Sequence, residues 1–121
     1  MIGYTTVGSN DVERAKGFYD KVLAPLGGKR VFANERLHFY TGPKGGLFAV
    51  GRPWDGGPAT VGNGAMFGLT APSHEVVDQV YAAAIEAGAA CEGPPGMRTD
   101  TFYGAYFRDL DGNKLCVFKM G

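Results

Sequence analysis

Histidine and cysteine carry much of the metal and nucleophilic chemistry of proteins, and this chain of 121 residues has only His38, His74, Cys91 and Cys116. A zinc site needs such ligands clustered at short spacing, and these four are scattered. His74 falls in the first turn of a helical pattern and reads as solvent-facing. His38 alternates with Leu37 and Phe39 and so shares a strand face with Arg36 and Tyr40. That face can look into a cleft or be the packed side of a sheet. Asp109 and Asp111 resemble a metal pair, yet turn formation in Asp109-Leu110-Asp111-Gly112 accounts for both. Cys116 sits between Leu115 and Val117 with no local base to generate a thiolate. It reads as a small buried hydrophobe. Cys91, beside Ala89 and Ala90, reads as packing on an edge-like strand. With no secretory signal in view, free thiols are expected.

Binding chemistry is better represented. Trp54 lies in a Gly/Pro-rich stretch, Arg52 to Asn63, where packing does not require an indole, and such loops often carry ligand contacts. Arg52 is two residues away, with a planar fork suited to a carboxylate or phosphate. The 12 Lys and Arg balance the 12 Asp and Glu, so no net field attracts nucleic acid or an anionic membrane. No apolar run approaches a membrane span, and a cytoplasmic location is expected.

The elements that must position these residues read as a repeat. Met1–Val7 is β-branched and aromatic, hence a strand. Asn10 followed by Glu13 has the form of a capping box, and Val12, Ala15, Tyr19, Val22, Leu23 and Leu26 then recur at helical spacing before Gly27-Gly28. Lys29–Ala33 is a strand, and Leu37–Tyr40 with Leu47–Val50 form a hairpin. After a connector over residues 52–63, the order returns. Gly64–Thr70 is a strand, and Ser73 caps a helix whose stripe is Val76, Val77, Val80, Ala84 and Ile85. Ala89–Glu92 is a short strand, Gly93–Asp100 a loop, and Phe102–Arg108 with Asn113–Phe118 a hairpin on the Asp-Gly turn. A shift of 62 residues places Tyr4 on Met66 and Tyr19 on Tyr81, and a shift of 67 places Ala49 on Cys116. The expected fold is α+β, one domain over 1–121 built from two tandem βαβββ modules, about 1–51 and 64–121.

Asn10-Asp11-Val12-Glu13-Arg14-Ala15 with Phe18-Tyr19, then Leu23–Gly27, then Phe107-Arg108-Asp109-Leu110-Asp111-Gly112-Asn113 resemble the vicinal oxygen chelate superfamily. Its members include glyoxalase I, extradiol dioxygenases and bleomycin-binding proteins. The resemblance implies curved mixed sheets around a shared cleft, and a homodimer. Metal enzymes of this superfamily place His, Glu or Gln on the first and last strands of each module, where the ion polarises substrate oxygens. The matching positions here are Tyr4, Ala49, Met66 and Cys116. Alanine cannot ligate, a thioether does not suit Mg, Mn or Fe(II), and phenol or thiol must first lose a proton.

A metal-free cleft for a small aromatic or anionic metabolite is therefore expected, without a cofactor. Tyr4, His38, Arg52, Trp54, Met66, Tyr103, Tyr106 and Cys116 are its candidate ligand contacts, with Phe48 on a wall and Arg98 or Arg108 at the rim. The alternative is a lyase, isomerase or dioxygenase of glyoxalase I type using non-standard ligands such as Tyr4, His38 or Cys116. Metal-independent acid–base chemistry by Tyr or His is a third reading, and a purely structural dimer a fourth.

Overall fold

Strand alternation, two helical crossovers and four hairpin connections generate the architecture of the computed structural model, which describes all residues from Met1 to Gly121. In chain order the elements are β1 (Tyr4–Gly8), α1 (Val12–Val22), β2 (Lys29–Ala33), β3 (Leu37–Thr41) and β4 (Leu47–Gly51). These are followed by β5 (Phe67–Thr70), α2 (His74–Glu86), β6 (Ala90–Thr99), β7 (Phe102–Arg108) and β8 (Lys114–Met120). The strands form two four-stranded sheets of identical plan, β1-β4-β3-β2 and β5-β8-β7-β6. In each, the first strand pairs parallel with the last and the other neighbours are antiparallel. The chain is thus two tandem βαβββ modules, and the segment between Gly51 and Phe67 contains neither helix nor strand. No helix is long and apolar enough to cross a membrane.

Local differences from the sequence expectation have local causes. The cap of α1 is Asp11, whose carboxylate accepts the Arg14 N–H at 3.2 Å. Asn10 is engaged elsewhere: its side chain exchanges hydrogen bonds with the backbone of Ala59 at 3.2 and 2.7 Å and so holds the connector. Glu13 closes no capping box and instead pairs with Lys16 at 2.7 Å. Beyond α1 the last expected turn becomes a 3-10 turn, Ala24–Leu26, because Pro25 has no N–H to continue an α-helix. The expected loop over 93–100 is mostly strand. Its pairing with β7 skips Pro94 and Pro95, which an edge strand with bulges tolerates.

One face of each sheet packs on the helices in a single cluster of 17 buried residues. The first sheet contributes Val7, Tyr40, Phe48 and Val50, the second Ala105, Phe107, Leu115 and Val117, and Phe18, Tyr19, Val77 and Val80 come from the helices. A polar latch crosses the same interface. The Tyr19 hydroxyl donates to the buried Asp109 carboxylate, and Asn113 Nδ2 donates to the Gly8 carbonyl at 2.9 Å. Asp109 also accepts the backbone N–H groups of Asp111 and Asn113, each at 2.9 Å, and Asn113 Nδ2 at 3.0 Å. The turn residues therefore make the turn and also join the modules.

Burial, then the neighbouring Asp109 charge, raises the Tyr19 pKa well above that of a free phenol. A raised folded-state value contributes stability that is fully present below the unfolded pKa, about 10, and is lost as pH climbs beyond it. Chemical denaturation across the alkaline range is expected to show the midpoint falling above about pH 10, more steeply in the native protein than in Tyr19→Phe. Equal slopes would disprove the link.

Candidate functional site

The strand faces turned away from the helices carry exposed or half-buried aromatic side chains on both sheets. On the first sheet Tyr4 and Thr6 of β1 register with Leu47 and Ala49 of β4. Leu37 and Phe39 of β3 lie on the same face, packed with Leu47 around Ala49. Tyr4 meets the Phe39 ring edge-on at 6.0 Å, and Phe32 of β2 stacks on Phe39 at 4.5 Å. Tyr4 remains 61% and Phe32 55% exposed, so this apolar wall is open. On the second sheet Tyr106 registers with Cys116, and Cys116 with Gly68. Phe118 and Phe102 continue that face, stacked at 5.1 Å. Glycine at 68 and 104 makes room for them, since a Cβ at Gly68 would lie 3.1 Å from the Phe118 ring and one at Gly104 2.7 Å from Phe102.

Parity separates the expected contacts. His38 shares its face with Tyr40, on the helix side of β3, and lines neither of the two cavities described below. Its pKa is lowered, first by burial and then by the Lys16 charge. Tyr103 also stands on the helix side: its ring stacks on His74 at 4.0 Å and its hydroxyl donates to Asp78 of α2 at 2.6 Å. Tyr103 and Tyr106 are an odd number of residues apart on one strand, so they cannot share a face. Phe48 packs in the helix-side core, against Tyr19 at 4.9 Å, and also lines the second of the cavities described below, as expected of a cleft wall. His74, expected at the surface, is exposed although stacked. Cys91 is exposed and Cys116 buried, both as free thiols. Arg108 is held by Glu92 at 2.7 Å.

Two cavities lie beside these faces. One, of about 500 Å³, is an open groove between the end of the first sheet and the connector, lined by Thr6, Leu37, Gly51, Arg52, Trp54 and Arg36. Arg36 is the residue that sequence reasoning did not single out here. Its guanidinium lies 5.3 Å over the Trp54 ring and donates to the Arg52 carbonyl at 2.9 Å. The indole itself stays 86% exposed. The second cavity, about 620 Å³, lies between the modules and is mainly apolar, with Leu23, Leu26, Phe67 and Leu69 in its lining and Tyr4 and Met66 both contributing. Tyr106 and Cys116 line neither of these two.

The donor set can be tested against a metal. Tyr4, Ala49 and Cys116 lie on β1, β4 and β8, Met66 directly precedes β5, and the four offer a phenol, a methyl, a thioether and a thiol. Burial pushes the Cys116 thiol up, against the weaker pull of a Tyr106 hydrogen bond toward thiolate. No group of three or more His, Cys, Asp or Glu side chains is placed to hold an ion. A hard divalent cation does not fit these residues.

The model of the Glyoxalase/Bleomycin resistance protein/Dioxygenase superfamily matches residues 1–117. The chain belongs to that superfamily. Among solved structures, a glyoxalase/bleomycin resistance protein from Albidiferax ferrireducens T118 is 44% identical, with a TM-score of 0.93 over 100% of this chain and 99% of that one. A lactoylglutathione lyase from Agrobacterium tumefaciens shares the fold at 20% identity and a TM-score of 0.72, covering 98% of this chain and 92% of the other. A glyoxalase-related enzyme from Fulvimarina pelagi does so at 20% identity and 0.77, covering 98% and 87%. A comparison with curated proteins found no match. In this superfamily member the repeated βαβββ plan is complete.

Proposed function

We propose that this superfamily member binds a small aromatic or anionic metabolite against the open sheet faces, without a metal ion. The observation that carries the reading is the character of the four positions corresponding to the superfamily's metal ligands. They sit on or beside the correct strands, yet offer no imidazole or carboxylate. Around them stand an aromatic and aliphatic wall on the first sheet and a tyrosine-centred wall on the second, the mixture of apolar surface and few polar groups that small-molecule sites use. Trp54 under Arg36 and the free fork of Arg52 add an aromatic–cation corner at the end of the first sheet.

The same reading includes a homodimer. Tyr4, Phe32, Met66 and Met120 are all about half exposed or more, and a second copy set across these faces would shelter them and deepen the cleft. Sedimentation equilibrium at micromolar protein is expected to give twice the chain mass.

Metal analysis of protein purified without chelator, and again after incubation with Mn, Fe(II), Ni and Zn, tests the central claim. The expected result is less than stoichiometric metal throughout. A one-to-one, chelator-removable ion would reject the metal-free reading and favour the glyoxalase-type alternative. In parallel, thermal-shift screening of aromatic and anionic metabolites is expected to find stabilising ligands. Trp54→Ala should weaken them by about tenfold, the size of one lost aromatic or cation–π contact.

A further inference from the structure

The open face of the second sheet is graded along its length. At one end Lys114 of β8 faces Arg108 of β7. Next comes Tyr106 opposite Cys116, then Gly104 opposite Phe118, and finally Phe102 opposite Met120. Two cations converge on the Tyr106 ring from the flanking strands, Arg98 of β6 at 5.4 Å and Lys114 of β8 at 5.7 Å. Neither is neutralised. The ion pairs of the structure are Lys16–Glu13, Arg30–Asp20 and Arg108–Glu92, so Glu92, which lies near Lys114, is already paired with Arg108.

The position of Arg98 is built rather than incidental. Its side chain folds back along its own strand and donates to the Pro94 carbonyl at 2.5 Å. It occupies space that only glycine leaves: a Cβ at Gly93 would lie 3.0 Å from one terminal guanidinium nitrogen and 3.2 Å from the Tyr106 ring, and a Cβ at Gly96 3.0 Å from the other nitrogen. The Gly-Pro-Pro-Gly run of β6 thus forms a cradle that holds the fork over the phenol. Two cationic donor groups, the guanidinium and the ammonium, are gathered on the phenol ring at one end of the face. About 6–7 Å further along, two residues at strand rise, begins the stacked Phe118–Phe102 surface.

We propose that this face is an anion subsite, in which Arg98 and Lys114 on either side of Tyr106 take the carboxylate or phosphate of a ligand whose aromatic body lies toward Phe118. The inference rests on the proposed small-molecule reading and sharpens it, because it gives the ligand a charge and an orientation. A cationic ligand is disfavoured by the same two side chains. Their fields also reach the buried Cys116 thiol, which burial raises and which Arg98 and Lys114 both pull back toward thiolate.

Calorimetric titration with four probes of one shape tests it: phenylacetate, phenyl phosphate, neutral phenylacetamide and cationic phenethylamine. The native protein is expected to bind an anion at least about tenfold more tightly than the amide, the size of one charge-assisted hydrogen bond. Added salt should erode the difference. The tighter of the two anions names the group. The double variant Arg98→Gln, Lys114→Met should lose the preference while its amide affinity stays within about twofold, a small change on the tenfold scale of one such bond. Gly93→Ala, which keeps both charges but displaces the fork, should lose part of it. Thermal transitions of each variant confirm folding; Gly93 and Arg98 lie on the edge strand β6, and Lys114 at the start of β8. Equal binding of all four probes would overturn the anion subsite and leave the small-molecule reading standing. So would a preference that survives in the double variant. Absence of binding by every probe would overturn both.

Discussion

Asp109→Ala is expected to destabilise the protein by about 3–5 kcal/mol, from four lost hydrogen bonds at roughly 1 kcal/mol each. The carboxylate is almost fully buried and receives four hydrogen bonds, from the Tyr19 hydroxyl, the Asn113 side chain and the N–H groups of Asp111 and Asn113. Alanine leaves the turn without its organising acceptor. It also leaves the Tyr19 hydroxyl, in a side chain with no exposed surface, without a partner in the shared core. Tyr19→Phe removes only the donor; Asp109 keeps its three other bonds, so the loss should be nearer 1–2 kcal/mol, about one hydrogen bond. At this chain size the two changes correspond to drops in Tm of roughly 10–20 °C and roughly 5 °C. Thermal unfolding followed by circular dichroism measures both. If Asp109→Ala proved no worse than Tyr19→Phe, the carboxylate would not be the hub of the latch. The functional consequence lies in what the latch holds: it ties the β1–α1 turn of one module to the β7–β8 turn of the other, and so sets how the two open faces are disposed.

Gly51→Ala should be of similar severity for a different reason. Gly51 ends β4, where it registers with Gly8 of β1 and Leu37 of β3. A Cβ there would stand 2.0 Å from the Arg36 carbonyl oxygen and 2.9 Å from the Leu37 side chain. The oxygen belongs to the backbone, so no rotamer change relieves the contact. Either β3 separates from β4 or the strand end refolds, at a cost of about 3 kcal/mol or more, beyond the usual range for an added methylene in a core. Because Arg36 spans from this point to the Arg52 carbonyl and the Trp54 ring, the variant should also lose Trp54 fluorescence changes on ligand addition. Gly8→Ala, whose Cβ would meet the Ala59 methyl at 3.0 Å, should be milder because the connector can move. Equal stability of Gly51→Ala and the native protein would contradict the packing described for this strand end.

Most of the architecture was legible in the residues. Two turns, two capped helical stripes and the returning order of short strands gave the βαβββ repeat, because turn chemistry and periodicity are local properties of the chain. The Ser73 cap and the Gly27 and Gly88 stops are local in the same sense. Asn10 is not the cap that its type and spacing suggest, because its partner, Ala59, is 49 residues away. The strand Ala90–Thr99 is longer than its composition suggests: two prolines and two glycines carry a loop composition, while an edge strand beside β7 tolerates them.

For the site, the chain itself determined which atoms are available: no imidazole or carboxylate at Tyr4, Ala49, Met66 and Cys116, a tryptophan in the connector, and arginines near both. It also contained the parity that divides Tyr103 from Tyr106. It did not say which parity faces the helices, since that follows from the register of β3 against β4 and of β7 against β8. Tertiary structure alone turned His38, Phe48 and Tyr103 to the packed side and brought Tyr19 of one module to Asp109 of the other. It alone laid Arg36 over Trp54 and gathered Arg98 and Lys114 on Tyr106. Each of these meetings joins residues on different strands or loops, or in different modules. Their contacts depend on bulges, glycine vacancies and strand register, which no local pattern encodes.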